Sequence, residues 1–340
     1  MAASIARRKS LLQNHFLKET LKRCYSACSQ STNTAVKVKR NEIFDEEKLR
    51  QQNSIIRIEK INVDVRGPPE DCSLLMNKGI STPYHCAMHI QEILTTRSAL
   101  AFVNSKPWDM HRPLTEDCTL EFSNFEDNNP AIANNAFWRS CTLVLGNVLE
   151  TAFQDKYYIE LVSFPQINIK TGSFVYDVDL KMPDWKPTSM ELNSLSTIGY
   201  RLHYKDLQFE RLTVDVSIAR EIFTDNQYKH NQISDIAQKS KSGKSVTLYR
   251  VGDFIDMTGG PCISSTGQIG RFNVTAIHPI EDPVLGRLHR VQGVAIPTQT
   301  EMHYWTYNLL CQRASKLNPL PLPSESKNTD EESEVKQLVS

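Results

Sequence analysis

Ala136-Phe137-Trp138-Arg139-Ser140-Cys141-Thr142-Leu143-Val144-Leu145-Gly146-Asn147-Val148-Leu149-Glu150-Thr151-Ala152-Phe153 is the stretch on which the fold turns. Phe137, Leu143, Val144, Val148, Leu149 and Ala152 recur at spacings of about three and four, which predicts an amphipathic helix seated in a core. Arg139 and Leu143 stand one turn apart on it. A metal or hydrolytic site would place two histidines at such an i, i+4 pair, and neither residue is histidine. The helix has the setting of a site without its chemistry.

Around this helix the 340 residues suffice for two modest cores plus tails. Formal charge is balanced, but unevenly distributed. The first forty residues carry nine Lys or Arg against one acid, Glu19, while the segment from Ser324 is acidic. The basic, Ser-rich N-terminus, with Ile5, Leu12, Phe16 and Leu17 on one side of a short helix, has the composition of a mitochondrial targeting peptide. It is too polar for a secretory or membrane-spanning segment. Arg23-Cys24-Tyr25-Ser26 resembles a matrix-protease site, so residues 1–25 are expected to be a leader and the mature chain to begin at Ser26. A basic arm that stays on the protein is the other reading.

Residues 26–54 read as a linker or extension with a short helix at Asp45–Gln51. A small α+β module is expected over 55–127. It contains a strand at Ile55–Val65, a helix capped by Thr82 and running from Pro83 through Leu94, and strands at Ala99–Val103 and Cys118–Phe122. The polar run Glu126–Pro130 marks a boundary. A second α+β domain is expected over 131–316. Beyond the organising helix it has strands near Tyr158–Ser163 and Ser173–Leu180, a helix from Thr188 to Lys205, and helices at Val216–Phe223 and Asn226–Gln238. Strands follow at Ser245–Val251, Phe272–Ile277 and Leu288–Val294, and the last helix spans Thr298–Lys316, with Thr298 and Glu301 as a capping box. Residues 317–340 read as a disordered acidic tail.

The eight cysteines include no Cys-x-x-Cys pair, which argues against a zinc knuckle or redox dithiol. Gly259-Gly260-Pro261 lacks the pattern of a phosphate loop and reads as a tight turn. His85, His89 and His111 have no partner constellation and read as surface or packing residues. Lys239, Lys241, Lys244 and Arg250 make the one dense basic run of the body, either a solvated loop or a contact for RNA phosphates.

Thr82-Pro83-Tyr84, Ala101-Phe102-Val103-Asn104 and the run from Trp108 to Glu121 resemble the small TGS domain, a ubiquitin-like β-grasp, that begins eukaryotic-type threonyl-tRNA synthetases. Phe137-Trp138-Arg139-Ser140, Phe209-Glu210-Arg211-Leu212, Asp225-Asn226-Gln227-Tyr228-Lys229 and the run from Tyr249 to Asp256 are similar, in order, to the editing domain of the same enzymes. The resemblance is continuous from about Ile55 to Arg313. It implies a TGS-like domain followed by an editing-type α+β domain.

In that family the helix carries His-x-x-x-His and a later loop reads Asp-Leu-Cys-x-Gly-Pro-His. The matching positions here are Arg139, Leu143, Thr258 and Cys262, so all four are replaced. Leu143 cannot ligate or carry a proton, and Thr258 is a poor substitute for a thiolate. Cys262 would be a nucleophile only with a depressed pKa and a base nearby; otherwise it and Cys141 line a remnant. Arg139 would grip a phosphate or pair with a carboxylate such as Asp256.

The sequence also stops where the synthetase would begin its aminoacylation domain. This truncated pattern resembles the threonyl-tRNA-synthetase-like proteins of the mitochondrial large ribosomal subunit. The resemblance implies a non-catalytic structural constituent in the matrix, bound to large-subunit proteins and rRNA, with no cofactor, metal, small-molecule substrate or membrane. The alternative is a free-standing aminoacyl-tRNA deacylase or a tRNA-binding regulator.

Overall fold

The computed structural model describes residues 32–325, apart from 156, 164–165, 183–184 and 241–242. The expected leader and residues 326–340 lie outside the described residues.

The first element corrects the linker expected over 26–54. Asn33–Asn53 is one 21-residue helix, α1, opened by Thr32, whose hydroxyl accepts from the Ala35 amide. It packs through charge as much as through apolar surface. Arg40 is 2 % exposed and lies between Glu150 at 3.0 Å and Asp225 at 2.5 Å. Lys37 reaches Thr151 at 2.9 Å and Asp253 at 3.4 Å, while Phe44 is fully buried among Leu212, Ile222, Phe223 and Leu248. Removing one partner from such a buried pair strands the other charge, so α1 is an integral part of the fold.

Five strands then form one sheet: β1 (Lys60–Arg66), β2 (Cys72–Asn77), β3 (Leu100–Val103), β4 (Lys106–Trp108) and β5 (Cys118–Ser123), in the order β2-β1-β5-β3-β4. β1 and β5 are parallel and the other pairs antiparallel. β1 alternates buried Ile61, Val63 and Val65 with exposed neighbours, as a half-buried strand should. It begins at Lys60 rather than Ile55, and Ile56 is 96 % exposed. Thr82 caps the next helix as expected, with His85 returning a bond to the Thr82 amide. The helix is broken, however. α2 (Pro83–Ile90) and α3 (Glu92–Arg97) are separated by Gln91 in extended conformation.

The organising helix, α4, spans Ala131–Ala152 and is enclosed on nearly every side. Gly146 lets it approach β10; a β-carbon there would lie 2.6 Å from the Phe254 ring. The remaining elements are β6 (Glu160–Ser163), β7 (Phe174–Asp179), α5 (Ser189–Lys205), β8 (Phe209–Asp215), α6 (Val216–Ile222), α7 (Gln227–Gln238), β9 (Ser245–Val251), β10 (Phe254–Met257), β11 (Ile269–Asp282), β12 (Gly286–Pro297) and α8 (Tyr304–Ala314). They supply two antiparallel sheets, β10-β9-β8 and β11-β12-β7-β6. The architecture is mixed α+β. α5 opens on a Thr188/Glu191 capping box.

Two expectations at the C-terminal end are corrected. α8 is capped by His303, which accepts from the Trp305 amide, not by a Thr298/Glu301 box; the Thr298 hydroxyl bonds instead to the Gly267 carbonyl. Within the tail expected over 317–340, residues 317–325 are docked. Buried Arg290 uses its five N–H groups on the two Asp177 oxygens and the carbonyls of Asn318, Leu320 and Pro321. The Asn318 amide bonds Ser173 and Thr171, and the Ser324 amide bonds Asp282. Among the described residues no helix is long and apolar enough to cross a membrane.

Candidate functional site

Three of the four degenerate positions, Arg139, Leu143 and Cys262, come together where α4 passes the loop after β10, and Thr258 stands at the start of that loop. Leu143 is fully buried in the main core. Half-buried Arg139 donates to the Pro261 carbonyl at 2.8 Å. One helical residue on, Ser140 accepts the Ile263 amide at 3.0 Å and donates to the Ala136 carbonyl. The loop itself turns at Gly260, with φ +64° and a cis peptide to Pro261. A β-carbon at Gly260 would fall 2.0 Å from the Tyr249 hydroxyl, so the position tolerates only glycine. Thr258 is half-buried and its amide continues the bonding of β9 through the Thr247 carbonyl.

Asp256 is not the partner of Arg139. It bonds Lys229, Tyr176 and the Met257 amide, wholly buried beneath α7. Burial pushes the Lys229 ammonium pKa down, against the pull of Asp256, and pushes the Tyr176 phenol well up.

What fills the site comes from the other unit. Asp109, 4 % exposed, follows β4 and accepts from the Cys262 amide at 2.9 Å and from the Tyr249 hydroxyl at 2.7 Å. Arg211 lies 4.0 Å from its second oxygen. Beside it the Arg112 guanidinium lies 3.4 Å from the centre of the Trp108 ring. Burial and the neighbouring Arg211 charge lower the Arg112 pKa to about 10. The His111 ring packs against Tyr84, tilted by 37° at 4.8 Å between centres, and shares a 3.2 Å hydrogen bond with Ser264. Burial, then His85, lowers its pKa.

This setting decides the chemistry of Cys262. Burial first, and the Asp109 charge second, push its thiol far above the ordinary cysteine range. Complete burial does the same to Cys141. A thiol held protonated is neither nucleophile nor good metal ligand. Among the described residues no group of three or more His, Cys, Asp or Glu is placed to hold a metal ion.

The basic run separates in space. Lys239 and Lys244 are exposed around the loop after α7, and Lys241 lies outside the described residues. Arg250 does not share their surface. It pairs with Asp45 at 2.7 Å and Glu210 at 2.9 Å and lies 4.4 Å from the centre of the Phe44 ring, which makes it part of the seat of α1. Sequence reasoning gave Asp109 no role, although it stands in the run quoted for the first unit. A hydrogen bond spanning 153 residues leaves no local pattern.

The chain carries a domain of the kind found in threonyl and alanyl tRNA synthetases, and its degenerate positions are closed off by buried side chains. Residues 246–293 match the threonyl and alanyl tRNA synthetase second additional domain. The chain is 42% identical over 297 residues to Large ribosomal subunit protein mL39 of Drosophila melanogaster, covering 87% of this chain and 89% of that one. It therefore belongs to the mL39 family of large ribosomal subunit proteins. It is also 30% identical over 228 residues to cytoplasmic threonine–tRNA ligase 2 of Bos taurus, and 27% identical over 283 residues to that of Homo sapiens. These matches take in 66% and 79% of this chain but only 29% and 33% of the ligases.

Proposed function

We propose that this chain is a structural constituent of the mitochondrial large ribosomal subunit, working by binding and not by catalysis. The observation that carries this reading is the match to mL39 along nearly the whole of both chains, which takes in both α+β units. The closed site supports it. Leu143 offers no ligand, Cys262 no thiolate, and Asp109 occupies the loop at which a substrate would have to arrive. The Arg-rich, acid-poor leader at residues 1–25 supports a matrix location.

Within this reading the first unit, residues 55–127, is a TGS-like β-grasp module. Its sheet order, with β1 and β5 parallel at the centre, favours that assignment. The editing-like domain covers 131–316, with α1 and residues 317–325 packed onto it. The partners are large-subunit proteins and, at fewer points, rRNA, because phosphate binding scales with the Lys and Arg brought to it and the body carries no excess of them. Lys239, Lys241 and Lys244 are one such point. Their joint replacement by serine should weaken ribosome association with a reduced salt dependence and leave melting unchanged, whereas association equal to wild type at every salt concentration would exclude that contact. Depletion of the chain should lower assembled large subunits and organellar protein synthesis together. Normal synthesis after complete depletion would refute the role.

A further inference from the structure

A surface remote from the closed site has a different character. The C-terminal half of α5 carries Tyr200, 37 % exposed, and Tyr204, 72 % exposed, with their hydroxyls 3.2 Å apart and their rings edge-to-face at 5.3 Å. The His203 ring stacks parallel to Tyr200 at 5.9 Å, an interplanar angle of 11°. Beside Tyr200 a groove of about 330 Å³ runs between α5 and β11, with Arg271 and Asn273 on its strand side and Asn193 and Thr197 on its helix side. Arg271 is held by the Tyr307 ring, 5.1 Å to its centre, and not by a carboxylate. Arg201 and Lys205 extend the positive charge along the same helical turns, and both are exposed. The nearby acid, Asp206, is tied to the Ser265 hydroxyl and the Gly267 amide.

Exposed aromatic rings cost free energy in water unless something covers them. Here they are interleaved with cations and with amide and hydroxyl groups. A strand of RNA supplies the complement to all three: flat bases for the tyrosines, phosphates for the cations, and base edges and ribose hydroxyls for Asn193, Thr197 and Asn273. An acidic peptide would satisfy the cations and leave the ring faces uncovered. We propose that Tyr200, Tyr204 and Arg271 form a docking platform for a single-stranded RNA segment, with a base stacked on the more exposed Tyr204 ring, Tyr200 bracing that ring edge-to-face, and the backbone crossing Arg271. This deepens the ribosomal reading and rests on it.

The test uses the full chain and a labelled mixed-sequence RNA 12-mer, single-stranded or annealed to its complement, followed by anisotropy across a salt series. Wild type should prefer the single strand. Replacing both tyrosines by alanine should weaken binding roughly ten-fold or more, since one stacked base accounts for about that. Replacing both by phenylalanine should restore it. Arg271→Gln should lower the salt slope by about 0.7. Unchanged affinity of the alanine variant, a preference for duplex, or competition by a poly-glutamate peptide at equal charge would each overturn the platform. Failure here with normal co-sedimentation of wild type on large subunits removes the platform alone, whereas failure of that co-sedimentation removes the ribosomal reading itself.

Discussion

One Asp109 oxygen accepts the Tyr249 hydroxyl at 2.7 Å and the Cys262 amide at 2.9 Å, so a carboxylate of the first unit joins β9 and the loop after β10 in the second. Both donors are buried, and Asp109 is the acceptor that each of them uses. Asp109→Ala should therefore destabilise the chain by about 2–6 kcal/mol, because each of the two buried donors left unsatisfied costs about 1–3 kcal/mol. Asp109→Asn keeps one acceptor oxygen and should lose less. Urea unfolding checks both; a change under about 0.5 kcal/mol for alanine, the range of an ordinary surface substitution, would mean that the clamp contributes nothing.

Thiol reactivity reads the same site from the cysteine side. Cys262 and Cys141 are buried and their thiols protonated, while Cys72 and Cys311 are half-buried. Brief alkylation of the native chain at neutral pH, mapped by mass spectrometry, should label Cys72 first, Cys311 more slowly because burial raises its thiol pKa, and spare Cys141 and Cys262 until denaturant is added. Labelling of Cys262 as fast as Cys72 would reveal an open, activated pocket.

Two buried histidines, His111 at the join between the units and His289 on β12, set a pH dependence. His111 and His289 are held below the ordinary histidine pKa, chiefly by burial. As pH falls through about 6.5 the unfolded chain takes up these protons before the folded chain does. Stability is therefore full above that pH and declines below it, by at most about 1.4 kcal/mol per pH unit for each histidine. Melting curves at pH 7.5 and 5.5 should show the loss, and His111→Gln should reduce it. A His111→Gln variant with an undiminished loss would exclude His111 as a source.

The parts of the fold legible in the sequence are those with apolar periodicity or a readable start: α4, α5 from Thr188 onward, and the Thr82 start of α2, although the capping box at Thr188 itself was not read. α1 escaped because its buried side includes Arg40, Lys37 and Glu47, which no hydrophobic pattern reports. β2 escaped because its exposed face carries Leu75 beside Leu74 and Met76, so the sequence does not alternate, and β4 because three residues hold no period. The proximity of Arg139 to the Pro261–Cys262 turn was readable from motif order. The tail docked by Arg290 and the plug supplied by Asp109 were not, since each depends on a charge meeting a partner far along the chain.

The decisive measurement is sucrose-gradient sedimentation of the tagged full chain from isolated mitochondria, with the gradient fractions probed for large-subunit rRNA. The chain should travel with the large subunit and with monosomes, and leave those fractions only when the subunit itself is dismantled. A chain recovered mainly in the light, ribosome-free fractions of an otherwise intact preparation would contradict a structural place on the subunit.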